Sequence, residues 1–371
     1  MRWVDARGRF VDRYRRVLTA DGQRVEKQYL LAQDANRNFV LPVKLRQHFD
    51  AHHQATYIPG LPNVFGGTMD PEDADPHAAV SRELGEESDF AQEITAAGSQ
   101  LRASADVGGN RFNIRTGAIA ATTAPQQVLA RAAARPFTQE MDLLLGDFRF
   151  RASEITYVHG TTTDLQIKNQ ILALFAARKG VNLGDPFFTA AVPGRAQTPL
   201  EEFRDSHVIA QLVDKVKEDS RAYDRGLQAK RAAAVDATET DPEYLGALAD
   251  YDQGQAAKQG GAFDPARPDA AYVAAGADYD QGLQEKRQNT FVGARPVPAY
   301  RAAGADYDRA VDAKQHDAFD NAATAPAYLG AGADYDAGWA DAKADRAPLR
   351  PGAAYLAGHA AGKGKRKKDE H

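Results

Sequence analysis

A chain of 371 residues with a formal net charge of −5 is long enough for one large domain or two to three ordinary ones. It carries no global basic field that would argue for nucleic acid, and its lack of cysteine excludes disulfides and cysteine-ligated zinc. No apolar run approaches the roughly 18–20 residues a membrane helix needs, and the opening MRWVDARGRFVDRYRR lacks a secretory apolar core. A cytoplasmic protein with no membrane partner is therefore expected.

Composition changes sharply along the chain. Up to about Lys179, aromatic, β-branched and charged residues mix as in a globular domain. From about Ser220 onward Ala, Gly, Asp and Tyr dominate. Between them, VNLGDPFFTAAVPGRAQTPLEEF has the Gly and Pro punctuation of a linker. The expected division is a domain over 1–180, a linker with a short helix over 181–219, helical repeats over 220–360 and a basic disordered tail over 361–371.

In chain order, residues 27–32 and 38–43 read as strands. Val64 and Phe65 then enter a tight turn at Gly66-Gly67, and a short helix follows carrying Arg82, Glu83, Leu84, Glu86 and Glu87. Helical neighbours lie three and four residues apart, so Glu83, Glu86 and Glu87 project together and repel one another. Hard divalent cations such as Mg²⁺ are held by carboxylate oxygens and relieve that repulsion; a solvated acidic face is the alternative. Further strand signals follow at 94–97, 111–120 and 148–151, and 165–175 reads as a helix with Leu165, Ile167, Ile171, Leu172 and Leu174 available to bury. This order predicts an α/β/α layered sandwich with a mixed sheet.

Arg111 and Arg115 alternate with Phe112 and Ile114, so they share one strand face, where they either clamp a phosphate or meet solvent. Tyr57, on the approach to the glycine turn, either stacks a base or packs in the core. His52 and His53 have no spaced partner that would suggest a metal site.

The stretch from Gly66 to Phe90 resembles the Nudix hydrolase box: a glycine, then Glu at fixed spacing, then Arg-Glu-apolar-x-Glu-Glu-x-Gly-apolar. Arg82, Glu83, Leu84, Glu86, Glu87 and Phe90 all fall in place. Asp73 stands where the box has its first Glu, the interval from there to Arg82 is one residue too long, and Asp89 replaces the last glycine. The resemblance covers about residues 1–180 and implies a Nudix-like α/β/α fold there. It implies Mg²⁺ or Mn²⁺ held by Glu83, Glu86 and Glu87, with the double Glu carrying most of the ligation. The general base is then a box glutamate or an acid from a distant loop, for which Glu140 is the candidate; an exposed loop carboxylate is its other reading. Substrate contacts fall to Gly66, Gly67, Arg111 and Arg115. The implied reaction is hydrolysis of a nucleoside diphosphate linked to another moiety, such as ADP-ribose or NADH. The alternative, prompted by the lengthened loop and Asp89, is a catalytically weak Nudix scaffold that binds nucleotide.

The second region is a repeat. Tyr223, Tyr251, Tyr279, Tyr307 and Tyr335 recur every 28 residues; Tyr244, Tyr272, Tyr300 and Tyr328 keep the same period, and Tyr355 arrives one residue early. Phe263, Phe291 and Phe319 form a third register. Such self-similarity marks units that complete their cores against neighbours. Tyr272, Ala275, Gly276, Tyr279, Gly282 and Lys286 fall at helical spacing, and prolines at 242, 268, 298, 326 and 351 suit helix starts. Each helix glycine costs about 1 kcal/mol against Ala, so stacking or a protein partner must supply the rest of the stability. The spacing of Tyr and Gly is similar to that in the helical units of ribosome modulation factor, a likeness that transfers no function. The tail from Lys363 to Lys368 is basic: it is either a solvated disordered terminus, the favoured reading, or a contact for RNA or another acidic surface.

Overall fold

The computed structural model of the chain defines residues 2–44, 47–49, 55–57, 60–87, 92–94, 98–121, 144–191 and 196–369. Two compact units result, Met1–Asp219 and Ser220–His371.

The first unit is mixed α/β. Its central strand, β3 (Val25–Gln33), alternates between two covered faces, with Leu31 on one side and Leu30 and Ala32 on the other. Strand β10 (Asn110–Ala121) runs parallel to β3, pairing Asn113 with Gln28 and Arg115 with Leu30. All other pairings are antiparallel: β4 (Asn38–Lys44) and β7 (Phe65–Thr68) on β3, β8 (Gln92–Ile94) and β9 (Gln100–Val107) on β10, and β11 (Leu144–Arg151) on β4. Both β4 and β7 lie along β3, β7 against residues 27–30 and β4 against 32–33. Short pairs β1 (Trp3–Val4) with β2 (Phe10–Val11), and β5 (Gln47–Phe49) with β6 (Ala55–Tyr57), stand outside this sheet.

One face of the sheet receives helix α1 (Pro76–Glu87), whose Val80 and Leu84 pack with Leu30, Ala32, Val40, Phe65 and Ile119. The opposite face is built from Phe39, Leu41, Ile114, Phe148 and Phe150, with Ile167, Ile171, Leu172 and Phe175 of α2 (Asp164–Lys179) laid across them. Thr163 caps α2 with a reciprocal Thr–Gln166 box, and Gly180 ends it at φ 64°. Leu165 is exposed, so it is not part of the buried set expected from its spacing.

The stretch expected to be a linker is folded. It forms α3 (Pro186–Thr189), α4 (Pro199–Asp205) and the start of α5 (His207–Arg231), and it buries Phe188, Leu200, Phe203, Val208, Ile209 and Leu212 in the same core as α2. Proline here serves as the first helical residue, after Asp185 and Thr198 caps, rather than as a spacer. The first compact unit accordingly runs to Asp219.

The second unit is all helical. After the end of α5 come α6 (Pro242–Gln259), α7 (Ala270–Gln288), α8 (Pro298–Gln315), α9 (Pro326–Lys343) and α10 (Ala353–Asp369). Helix α10 takes in the basic tail that was expected to be disordered, up to Asp369. The two tyrosine registers do different work. In the first, the hydroxyls of Tyr244, Tyr272, Tyr300 and Tyr328 accept the backbone N–H eight residues upstream, tying each loop to its own helix. Phe263, Phe291 and Phe319 stack on the last three of these rings at centroid distances of 4.9, 4.5 and 4.7 Å.

The second register links neighbours. Tyr223, Tyr251 and Tyr279 donate to the buried carboxylates of Asp250, Asp278 and Asp306 in the next repeat, at 2.8–2.9 Å. The Tyr223 hydroxyl also accepts the N–H of Ala271 at 3.2 Å, so one phenol contacts both the next helix and the one after. Glycines permit the spacing: a Cβ on Gly254 would overlap the Tyr272 carbonyl oxygen. The α9–α10 contact is reciprocal, with Gly338 against the Tyr355 carbonyl and Gly358 against that of Tyr335. Gly358→Ala should cost about 1–3 kcal/mol through overpacking. Calorimetry should show it as a drop of roughly 2–4 °C per kcal/mol in melting temperature.

Burial pushes the phenols of Tyr251 and Tyr279 well above their ordinary value, and the Asp278 and Asp306 carboxylates add to the effect. A phenol whose folded value is raised contributes stability that is intact below its unfolded pKa, about 10, and is lost as pH climbs above that toward the folded value. The helical repeat should therefore unfold cooperatively above about pH 10, with a burst of phenolate absorbance at the circular-dichroism transition. Phenolate appearing gradually, before helix loss, would contradict this arrangement.

Candidate functional site: a glycine strand beneath an acidic helix

Strand β7 ends in Phe-Gly-Gly-Thr, and its glycines pair with Gln28 and Tyr29 of β3. Gly66 adopts φ 135°, a conformation closed to other residues, and a Cβ there would strike the Gln28 carbonyl. The missing side chains make room for α1. A Cβ on Gly67 would lie 2.5 Å from Oε1 of Glu83, and the Gly66 N–H donates to Oε2 of Glu87 at 2.8 Å.

Helix α1 starts cleanly, with the Asp75 carboxylate accepting the Ala78 N–H and proline at its first position. One stripe carries Ala79, Val80, Glu83, Leu84 and Glu87, all buried. Glu83 and Glu87 are only 7% and 3% exposed, so these carboxylates face the protein. Glu86 lies on the same helix, and its side chain falls outside the described residues.

Arg82 bridges the helix to the preceding loop. Its Nε and Nη2 donate to Asp73 at 3.1 and 3.2 Å, and Nη2 also reaches the Thr68 carbonyl at 3.0 Å and Glu83 at 3.1 Å. Asp70 stands 3.5 Å away. Asp73 is itself buried and accepts the Asp70 N–H at 2.8 Å, which folds residues 70–73 into a turn. Two more arginines hold that turn from outside. Arg7 donates to the carbonyls of Pro71 and Asp73 at 2.5 and 2.7 Å, and Arg9 to that of Asp73 at 2.7 Å. Sequence reasoning missed Arg7 and Arg9, since they lie more than sixty residues upstream in no motif. Asp73 was visible only as a departure from a pattern.

Nearby on β3, burial pushes the Tyr29 phenol up to about 12, with the Glu83 charge adding to the shift. Burial and then the Arg16 charge hold the Lys27 ammonium below its ordinary value, while Glu83 opposes them. The amide of Gln28 is fully buried without a hydrogen-bond partner.

The arginines expected to share a strand face are engaged separately. Arg111 makes a two-point contact with its cross-strand neighbour Asp106 at 2.9 and 3.0 Å, and that bond holds its guanidinium above its ordinary value. Arg115 donates to the Ser99 hydroxyl and carbonyl at 2.8 and 3.1 Å. Glu140, His52, His53, Asp89, Phe90 and the Tyr57 side chain lie outside the described residues.

Carboxylates gather on Arg82. Around one guanidinium stand the carboxylates of Asp70, Asp73 and Glu83, with Glu87 one turn along the helix. Buried negative charge left in excess is costly unless a cation or proton meets it. Among the described residues, no group of three or more His, Asp or Glu side chains forms a metal cluster. No protein-family model matches the chain, and no curated protein sequence matches it. None of the helices among the described residues is long and apolar enough to cross a membrane.

Gly66→Ala should destabilise the first unit by about 3 kcal/mol, from backbone strain alone. Thermal unfolding should drop by roughly 2–4 °C for each kcal/mol, leaving the helical repeat's own transition in place.

Proposed function

We propose that the first unit is a divalent-metal-dependent hydrolase of the Nudix type. Its substrate would be a nucleoside diphosphate linked to another moiety, such as ADP-ribose or NADH, cleaved at the pyrophosphate. The observation that carries this reading is the pair of buried carboxylates, Glu83 and Glu87, placed one helical turn apart over the Gly66-Gly67 strand. The Arg82–Asp73 contact supports it. Asp73 takes the position of the box's first Glu, and the extra loop residue leaves its ion pair with Arg82 intact.

Glu83, Glu86 and Glu87 are the residues that would hold Mg²⁺ or Mn²⁺. The cation supplies charge neutralisation of the phosphoryl oxygens and a more acidic water. The chain's own contribution is placement. Arg82, pinned on Asp73, fixes the rotation of α1, and the glycine strand lets the two carboxylates come down onto the backbone. A box glutamate or Glu140 takes the proton from the attacking water. The second unit would serve as a protein-interaction module.

Incubation of the full chain with a panel of such substrates and Mg²⁺ or Mn²⁺ should release nucleoside monophosphate, and EDTA should stop it. Glu87→Gln should lower turnover by at least about 100-fold. Gly67→Ala should lower turnover without a large change in melting temperature, because its methyl displaces the flexible end of Glu83 rather than backbone. No turnover of any substrate by the wild type would sink the proposal. One observation favours a second reading: Glu83 and Glu87 already have protein donors. Nucleotide binding that persists in EDTA, with no hydrolysis, would favour a binding scaffold.

A further inference from the structure

The internal repeat makes its own control experiment, because equivalent positions can be compared within one chain. Five residues before three tyrosines of this register, Arg267, Arg295 and Arg350 occupy the same place relative to Tyr272, Tyr300 and Tyr355; Ala323 stands there before Tyr328. The first two are fully engaged. Arg267 pairs with Asp269 at 2.7 Å and sits 4.3 Å from the Tyr272 ring centre; Arg295 pairs with Glu285 at 3.2 Å and sits 4.5 Å from that of Tyr300. Arg350 differs. The position of Asp269 is taken by Gly352 and that of Glu285 by Ala340, so neither carboxylate is there, and the guanidinium lies 5.8 Å from the Tyr355 ring centre.

Arg350 instead makes a long 3.4 Å contact to Asp334, a carboxylate already used by Arg287 Nε at 2.9 Å. In the corresponding sites, the buried carboxylates of Asp278 and Asp306 each receive a tyrosine hydroxyl from the preceding repeat, Tyr251 and Tyr279, besides Arg231 or Gln259 at the place of Arg287. At Asp334 two guanidiniums converge, and the hydroxyl of Tyr307 accepts the Ala354 N–H. Between them lies a cavity of about 250 Å³ lined by Arg287, Asp334, Arg350, Gly352 and Tyr355. Gly352 packs closely enough on the Arg287 carbonyl that a Cβ would stand 2.7 Å from it.

The charge count is uneven. Arg287, Arg350 and Arg346 face Asp334 and Asp341, and Asp341 is taken by Arg346 and the Tyr355 hydroxyl. Among these five side chains the charges sum to plus one. Each guanidinium has five N–H donors in a planar fork suited to oxyanions, and Asp334 takes one from each. A 250 Å³ space is below the roughly 300–1,000 Å³ of sites that enclose a whole drug-sized ligand, and so matches a small anion or the charged end of a larger one.

We propose that this cavity is a phosphate-group site, with Arg287 and Arg350 as the two forks and Tyr355 as its aromatic wall. The charge sum calls for an anion, and the geometry favours phosphate: its tetrahedral oxygens let two forks from different segments bind at once, where a carboxylate offers only two coplanar oxygens.

The test uses the full chain and inorganic phosphate, followed by ³¹P line broadening and by isothermal calorimetry at fixed ionic strength. Saturable binding in the millimolar range is expected. Arg350→Gln and Arg287→Gln should each weaken it at least tenfold, and Arg295→Gln, where the arginine keeps its own carboxylate, should not. Glutamine is safe at 287, since Gln259 and Gln315 fill that place in neighbouring repeats. A nucleoside monophosphate arm separates the sources: tighter binding than inorganic phosphate, lost in Arg350→Gln, identifies a phosphorylated ligand, and equal binding identifies free phosphate. Acetate binding as tightly as phosphate, equal affinity in wild type and Arg350→Gln, or no saturation below about 20 mM phosphate would each overturn the proposal.

Discussion

Taking a carboxylate out of water costs several kcal/mol unless hydrogen-bond donors meet it. Both units of this chain are organised by how that demand is met. In the helical unit the donors are phenols: the carboxylates of Asp250, Asp278 and Asp306 are each met by a tyrosine from the preceding repeat. A phenol fixed at both oxygen and ring specifies distance and direction, so the same bond repeated sets the step from helix to helix. In the α/β unit the donors are the Arg82 guanidinium and the Gly66 N–H, which hold Glu83 and Glu87 against the sheet.

Glycine has a consistent part in this. A buried polar bond between two backbones needs close approach, and close approach needs a side chain to be absent. Gly67 admits the Glu83 carboxylate; Gly338 and Gly358 admit the carbonyls of Tyr355 and Tyr335. The intrinsic penalty of glycine in a helix is offset by close contacts that a side chain at Gly338 or Gly358 would push apart. Alanine at the equivalent position of α8, the fully buried Ala310, shows that one repeat accommodates a methyl there. Asp278 and Asp306 each take a phenol together with a donor 47 residues upstream, Arg231 or Gln259, whereas Asp334 takes Arg287 in that place and Arg350 beside it.

The acidic helix carries apolar and carboxylate side chains on one buried stripe. Val80 and Leu84 bury apolar surface against the sheet, while Glu83 and Glu87 on the same stripe concentrate negative charge at its edge. A helix anchored that way cannot rotate to solvate its carboxylates, so they stay together whether or not a cation is bound. Arg7 and Arg9 contribute from a distant hairpin by fixing the carbonyls of the turn at 70–73.

Several features were set by local sequence alone. The 28-residue period, the tyrosine and glycine stripes, the strands at 27–32 and 38–43 and the acidic helix all follow from spacing, because side-chain periodicity is a property of the backbone itself. The mixed α/β class of the first unit was legible for the same reason. Other features depended on partners far away in the chain. Gly and Pro punctuation in 181–219 cannot reveal that Phe188, Leu200 and Phe203 complete a core with Phe148 and Phe175, since burial is decided by what packs on the other side. Arg111 and Arg115 share a strand face by sequence, yet cross-strand register gives one to Asp106 and a loop gives the other to Ser99. The sequence by itself determined which residues repeat and which faces they share. Only the tertiary structure decided which carboxylate each donor meets, because that choice rests on contacts between residues from about ten to nearly fifty positions apart.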